Sequence, residues 1–254
     1  KTTYELSLQE PLVERPHELP NIAPHLVERI ARTAPNKRQL TTIDYYLQER
    51  VQEVVAKYHR HYKRFEVHNL CALVVDVHSR EVLAYVGNSP TDEEHQKDVN
   101  IIHRPRSTGS VLKPFLYAAM LDSGELLPQE ITADVPTHIG GYSPENFENT
   151  YEGAVPADEA LYRYLNIPFV LLLRQYGISR FYQQLQKLRL RSINRSADHY
   201  GLSLILGGAE SSLWELSQAY ANMGFELNEF AQTGKYRSHA FQKLTYLKNN
   251  RDYG

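Results

Sequence analysis

At 254 residues the chain is long enough for one large domain or a domain with an appendage, and an apolar content of 42% excludes global disorder. With 28 Lys plus Arg against 30 Asp plus Glu, the net charge of −2 gives no field that argues for nucleic acid or a membrane surface as partner. The single Cys71 excludes a disulfide framework and a cysteine-based zinc site, and the longest apolar run, Ile167 to Leu173, is far short of the ~20 residues of a bilayer span. A soluble chain, or the soluble part of a longer one, is expected.

Five of the 13 prolines (Pro11, Pro16, Pro20, Pro24, Pro35) fall in the first 35 residues. A residue with fixed φ and no N–H interrupts regular structure, so residues 1–40 are expected as an extended linker with at most short helical turns, and 41–254 as the folded domain. From Asp44, suited to cap a first turn, Leu47, Val51, Val54, Val55, Tyr58 and Tyr62 recur at helical spacing and predict a helix to about Arg64. Its basic end, Lys57 to Arg64, reads as a solvated face. His59 and His61 lie on different sides of that helix, which argues against a shared metal, and both are expected at the surface.

Leu70 to Val77 is almost continuously apolar, His78 to Arg80 form a turn, and Val82 to Val86 end at Gly87, which together predict an antiparallel hairpin of a core sheet. After the polar loop Thr91 to Lys97, the set Leu112, Phe115, Leu116, Ala119 and Met120 predicts a buried helix that includes Val111 to Leu121. Gly140 to Asn146 is a turn-rich loop, and Ala157 to Tyr176 is expected as a helix broken at Pro168. Ser212-Leu-Trp-Glu215 has the form of a capping box opening a helix with Leu213, Leu216, Tyr220 and Met223 on its apolar face. Beyond Phe230 a polar tail is expected.

Ser110-Val-Leu-Lys113 places a hydroxyl and an amine three residues apart, within reach of each other on one helical face. Gly109 permits a tight turn, a helix N-terminus offers amides to a developing oxyanion, and its dipole opposes a second positive charge on Lys113. By itself the pattern is weak, since 15 Ser and 10 Lys give about 0.6 occurrences of Ser-x-x-Lys by chance.

The surrounding string Arg106-Ser-Thr-Gly-Ser-Val-Leu-Lys-Pro-Phe115 resembles the nucleophile motif of the class A penicillin-binding proteins. So do Thr41 to Gln48, Ala72 to Asp76, Glu81 to Gly87, Gly141 to Phe147 and Tyr200 to Gly208, a likeness that spans roughly residues 8 to 230. The resemblance implies an α/β penicillin-binding protein/β-lactamase-like transpeptidase fold, with an antiparallel sheet flanked by helices and the nucleophile opening a buried helix. It implies a D,D-transpeptidase that forms an acyl-serine from D-alanyl-D-alanine stem peptides, with Ser110 as nucleophile, Lys113 as base and Asn166 as orienting group, and with Gly109 and Tyr164 at the substrate. Peptidoglycan stem peptides and β-lactam antibiotics are the implied partners, no cofactor or metal is implied, and the implied place is the periplasmic face of the bacterial inner membrane. A full-length relative would carry a glycosyltransferase domain and a membrane anchor.

Two departures stand out. The family's second motif, Ser-x-Asn, matches Tyr164-Leu165-Asn166, so a tyrosine stands where a small proton-relaying serine is expected. It either fills the cleft and blocks it, or swings away, or serves as the relay itself. The third motif, Lys-Thr-Gly, is absent from the 254 residues, the nearest string being Gln232-Thr-Gly234, and its strand is expected past Gly254. The competing reading is a penicillin-binding-protein-like module that binds peptidoglycan or envelope partners without turnover.

Overall fold

The computed structural model describes residues 20–236 and 241–248. Within the expected linker it has a ten-residue helix, α1 (Pro24–Thr33), in place of an extended arm. Pro24 sits at the first position, where a missing N–H costs nothing, and Leu26 and Ile30 are buried against the hairpin residues Val82 and Tyr85 and against Ile102. The part of the linker before Pro20 lies outside the described residues.

Helix α2 (Tyr45–Tyr62) begins as expected, the Asp44 carboxylate accepting the Leu47 amide at 2.8 Å, and it runs into a 3₁₀ turn over Lys63–Phe65. Its buried face differs from the apolar stripe. Gln48, Val55 and His59 are buried, while Val54, Tyr58 and Tyr62 are exposed. The cause lies in the neighbouring hairpin, β1 (Ala72–Val75) and β2 (Val82–Val86), paired antiparallel from Ala72↔Val86 to Val75↔Val82. Gln48 accepts from the Tyr85 amide at 2.7 Å and donates to the Tyr85 carbonyl at 3.1 Å, so a side-chain amide replaces a strand along that edge. Buried backbone groups demand partners, and here that demand turns a polar helix face inward. It carries His59 with it, the ring expected at the surface, whereas His61 stays exposed.

The same edge of β2 is closed further along by Thr245, whose carbonyl accepts from Val82 at 2.8 Å and whose amide donates to Arg80 at 3.1 Å. Part of the expected polar tail is therefore packed against the sheet, with Leu244 buried. Two more antiparallel ladders follow: β3 (Arg106–Ser107) with β6 (Glu210–Ser211), and β4 (Ile131–Asp134) with β5 (Gly153–Pro156). The helices are α3 (Lys113–Asp122), α4 (Ala157–Tyr162), α5 (Asn166–Tyr176), α6 (Ile178–Lys187), α7 (Ala197–Tyr200) and α8 (Leu213–Thr233). Leu116 and Met120 of α3, Phe169 and Leu173 of α5, and Phe181 and Leu185 of α6 share one core, and the hairpin with α1 forms a second. Ser212 caps α8 by accepting from Glu215 at 3.2 Å, but Glu215 turns to Ser211 instead of reaching back, so only half of the capping box forms. Gln232-Thr-Gly234 is the C-terminal end of α8, not a strand, and so is no counterpart of Lys-Thr-Gly.

Replacing Gln48 by Leu keeps the volume and orphans both Tyr85 backbone groups. The urea midpoint is expected to fall by the equivalent of about 3 kcal/mol with the slope unchanged.

Candidate active site

Ser110 does not stand on regular helix. The helix starts at Lys113, two residues later than expected, and Ser110 to Leu112 form tight turns in which Thr108 O accepts from Val111 at 3.2 Å and Ser110 O from Lys113 at 3.1 Å. Pro114 explains the delay: it has no N–H to offer Ser110 O, so that carbonyl turns to the residue before it. Gly109 enters the turn at φ +52, a region a side chain would resist. The turn is pinned from one side by β3–β6 pairing, by Thr108 N–H to Ala209 O at 3.0 Å and by Ser107 Oγ to Gly207 O at 2.8 Å. A Cβ on Gly207 would sit 2.7 Å from Gly109 N, so only glycine admits this approach. From the other side Tyr220 of α8 donates to Val111 O at 2.7 Å, its ring 4.6 Å from that of Phe115. Burial, helped by nearby Tyr164, raises the Tyr220 phenol to about 12, so it remains a donor. Ser110 is half-buried, and among the described residues neither its Oγ nor its N–H has a hydrogen-bond partner.

Lys113 is fully buried. Its Nζ donates to Tyr164 O at 3.0 Å, Leu165 O at 3.0 Å and Asn166 Oδ1 at 2.8 Å, and lies 5.6 Å from the centre of the Phe169 ring. Three acceptors match the three protons of an ammonium. Burial opposes that charge and lowers the Lys113 pKa to about 8. The amine therefore engages the second motif in full, and its expected bond to the Ser110 hydroxyl is not formed in this state.

The second motif sits where the expected helix from Ala157 to Tyr176 breaks, and the break is at 163–165 rather than at Pro168. Pro168 falls in the first turn of α5, where no donor is needed. Tyr164 has φ +58, its amide donating to Leu161 O at 3.1 Å and that of Leu165 to Ala160 O at 3.0 Å. This is a Schellman ending with tyrosine in the left-handed position glycine usually holds. The turn aims the carbonyls of residues 164 and 165 at Lys113 and leaves the Tyr164 side chain 64% exposed. Arg163 steadies the link through ion pairs to Glu152 and to Glu159, the latter at 2.9 Å.

Asn166 is held by a residue the sequence reading did not single out. The buried Asn146 accepts on one oxygen from the Asn166 amide at 2.9 Å and the Ile167 amide at 3.3 Å, capping α5 from a distant loop. Its own amide donates to the buried Asp134 at 2.7 Å and to Thr150 O at 3.0 Å. Asn166 Nδ2 donates to Glu145 O at 2.9 Å, so Oδ1 is the atom turned to Lys113. Asparagine within a turn-rich loop was the available signal, but its target 20 residues away was not. Burial pushes the Cys71 thiol up to about 11, which keeps it protonated at neutral pH. Among the described residues no three His, Cys, Asp or Glu side chains are grouped to hold a metal ion, and no helix is long and apolar enough to cross a membrane.

Residues 70–230, which include Ser110, Lys113 and Asn166, match the family described as the penicillin binding protein transpeptidase domain. Over 230 residues the chain is 33% identical to penicillin-binding protein 1C of Escherichia coli strain K12, covering 90% of this chain and 29% of that protein. Penicillin-Binding Protein 1A from Haemophilus influenzae superposes with a TM-score of 0.51 at 26% identity, over 60% of this chain and 23% of that one. The PonA1 protein from Mycobacterium tuberculosis, solved in complex with penicillin V, superposes at 0.66 and 20% identity over 89% of this chain and 61% of that one, a likeness of fold. The chain thus spans less than a third of the length of the first of these relatives.

Replacing Asn146 by Leu uncaps α5 and leaves the buried Asp134 Oδ1 without its donor, Oδ2 keeping the Glu152 amide at 3.1 Å. A loss of about 3 kcal/mol in urea unfolding is expected, well beyond the ~1 kcal/mol of an ordinary cap.

Proposed function

The chain belongs to the penicillin-binding protein transpeptidase family, and from that premise we propose that it carries the acyl-transfer site of a peptidoglycan synthase, acting as a serine D,D-transpeptidase on stem peptides. The observation that carries this reading is the Lys113 ammonium, which joins the Ser110 turn to the Tyr164–Asn166 turn. An ammonium has three donors and no lone pair, while an amine has two donors and one lone pair. Loss of one proton therefore releases one of the three acceptors and supplies the base that Ser110 Oγ needs, three residues back along the same turn.

In the reaction so assigned, Lys113 takes the Ser110 proton as Oγ attacks the penultimate D-alanine carbonyl. The unpartnered Ser110 N–H meets the oxyanion. The carbon–nitrogen bond to the terminal D-alanine breaks, and its nitrogen receives a proton by way of the Tyr164 hydroxyl. An amine of a second stem then displaces the acyl group and restores Ser110. Tyr164 takes the relay role because its side chain stands largely exposed rather than packed as a plug, and because it lies near Tyr220, which touches the nucleophile turn. Asn166, fixed through Asn146, orients Lys113. A β-lactam places its carbonyl and carboxylate where the D-alanyl-D-alanine carbonyl and carboxylate would lie, so Ser110 is the residue it acylates, and the site faces the periplasm in the whole protein.

Acylation by a labelled penicillin, in a chain carrying this segment together with a Lys-Thr-Gly strand, is expected at Ser110 and absent in Ser110→Ala. The second-order rate rises about tenfold per pH unit below pH 8 and levels above it, because a base with pKa about 8 is neutral only on the alkaline side. Lys113→Arg stays charged and is expected to lose ~10²–10⁴-fold with no such rise. No adduct, or an adduct on another residue by mass spectrometry, sinks the assignment.

Position 164 has its own test. With the hydroxyl as relay, Tyr164→Phe slows acylation by about 10²-fold or more and Tyr164→Ser is no faster than the parent. A serine variant faster by the same factor shows that the ring obstructs the cleft, and three equal rates place residue 164 outside the reaction path.

A further inference from the structure

Between α1 and the loop 98–104, in a part of the fold that the acyl-transfer site does not use, lies a cavity of about 420 Å³. Arg29 and Arg32 of α1 line one wall and Arg104 the other, together with the acids Glu28 and Asp98. Glu28 is already engaged by Arg32, so Arg29 and Arg104 face the cavity against Asp98 alone. Among the described residues neither of these two guanidinium groups has a hydrogen bond or ion pair, and Arg29 Nε is a buried donor with no acceptor. His103 lines the same space, its ring 5.0 Å from that of Trp214, and its Nε2 is likewise buried and without a partner.

Buried donors in native structures have acceptors, so the orphaned Nε of the Arg29 guanidinium, with the uncommitted guanidinium of Arg104 across the same cavity, suits the cavity to an anion. We propose that this cavity binds a phosphate group, held between Arg29 on α1 and Arg104 on the opposing loop, with His103 Nε2 a further donor in the tautomer that carries its proton there. Phosphate fits better than carboxylate. One guanidinium fork occupies both oxygens of a carboxylate, whereas the oxygens of a tetrahedral phosphate accept forks from two walls. Burial and the charge of Arg29 lower the His103 pKa to about 4, so at neutral pH the ring is uncharged and the charge complementary to phosphate comes from the two guanidinium groups. The phosphate is either free or the headgroup of a lipid.

Trp214, the only tryptophan in the chain and adjacent to His103, is the reporter. Titration of the protein with inorganic phosphate at pH 7 and constant ionic strength should give a saturable change in its fluorescence. Acetate should bind about tenfold or more weakly, and Arg29→Gln and Arg104→Gln should each weaken phosphate by about tenfold. Arg29→Lys, which keeps the charge but loses the fork, should fall between and guards against a variant that merely unfolds. Glycerol 1-phosphate and vesicles of phosphatidylglycerol separate the two sources: vesicle binding lost in the same variants assigns a headgroup, and binding of the soluble phosphates alone assigns a free one. No saturable response to any phosphate, equal binding of acetate, or phosphate binding that none of the three variants alters overturns the proposal.

Discussion

The arrangement of the site depends on one buried cation. An ammonium removed from water is tolerated only when its protons find acceptors, and Lys113 finds three, all on the link between α4 and α5. Satisfying them requires two successive carbonyls and one side-chain oxygen to converge on a single point. A continuous helix keeps its carbonyls engaged along its own axis, so the chain has to leave helical geometry there. The left-handed Tyr164 is the local consequence. Strain of this kind persists where surrounding bonds over-determine it, and here the Schellman bonds, the Arg163 ion pairs and the Asn146 cap do so.

That constraint also explains what the sequence could and could not disclose. Local features were legible: Asp44 as a cap, the hairpin at residues 72–86, and the apolar face of α3 rest on neighbours within a few residues. The pairing of Lys113 with Asn166 was legible only through resemblance, because nothing in spacing joins positions 53 apart. The misplaced features share a cause. The inward face of α2 was set by Tyr85 backbone groups, the break near Tyr164 by Lys113, and the docking of Thr245 by Val82. In each case a distant polar group needing a partner outweighed the local apolar pattern or propensity.

Pro168 and Pro114 make the same point from opposite directions. A proline inside a helical pattern reads as a breaker, yet Pro168 is harmless in a first turn, where the amides need no intrahelical partner. Pro114 sits equally near a helix start, but its missing N–H leaves Ser110 O to bond with Lys113 and so tightens the turn bearing the hydroxyl. The effect of a proline is decided by which carbonyl it fails to serve. Here that carbonyl belongs to the candidate nucleophile.

The donor count at Lys113 then links structure to reactivity. With its proton the residue satisfies the second motif completely and offers Ser110 nothing. Without it, one acceptor is released while a lone pair appears. In the proposed reaction the state that best holds the two turns together is thus not the state that would activate Ser110, and a pKa of about 8 keeps the two close in free energy at neutral pH. Fewer acceptors would favour the amine but weaken the tie to Tyr164, Leu165 and Asn166, and greater exposure would fix the charge and remove the proposed base. Full burial with three acceptors sits between these limits, and Asn146, by fixing Asn166 from outside the turn, preserves the geometry when the ammonium gives up one of its bonds.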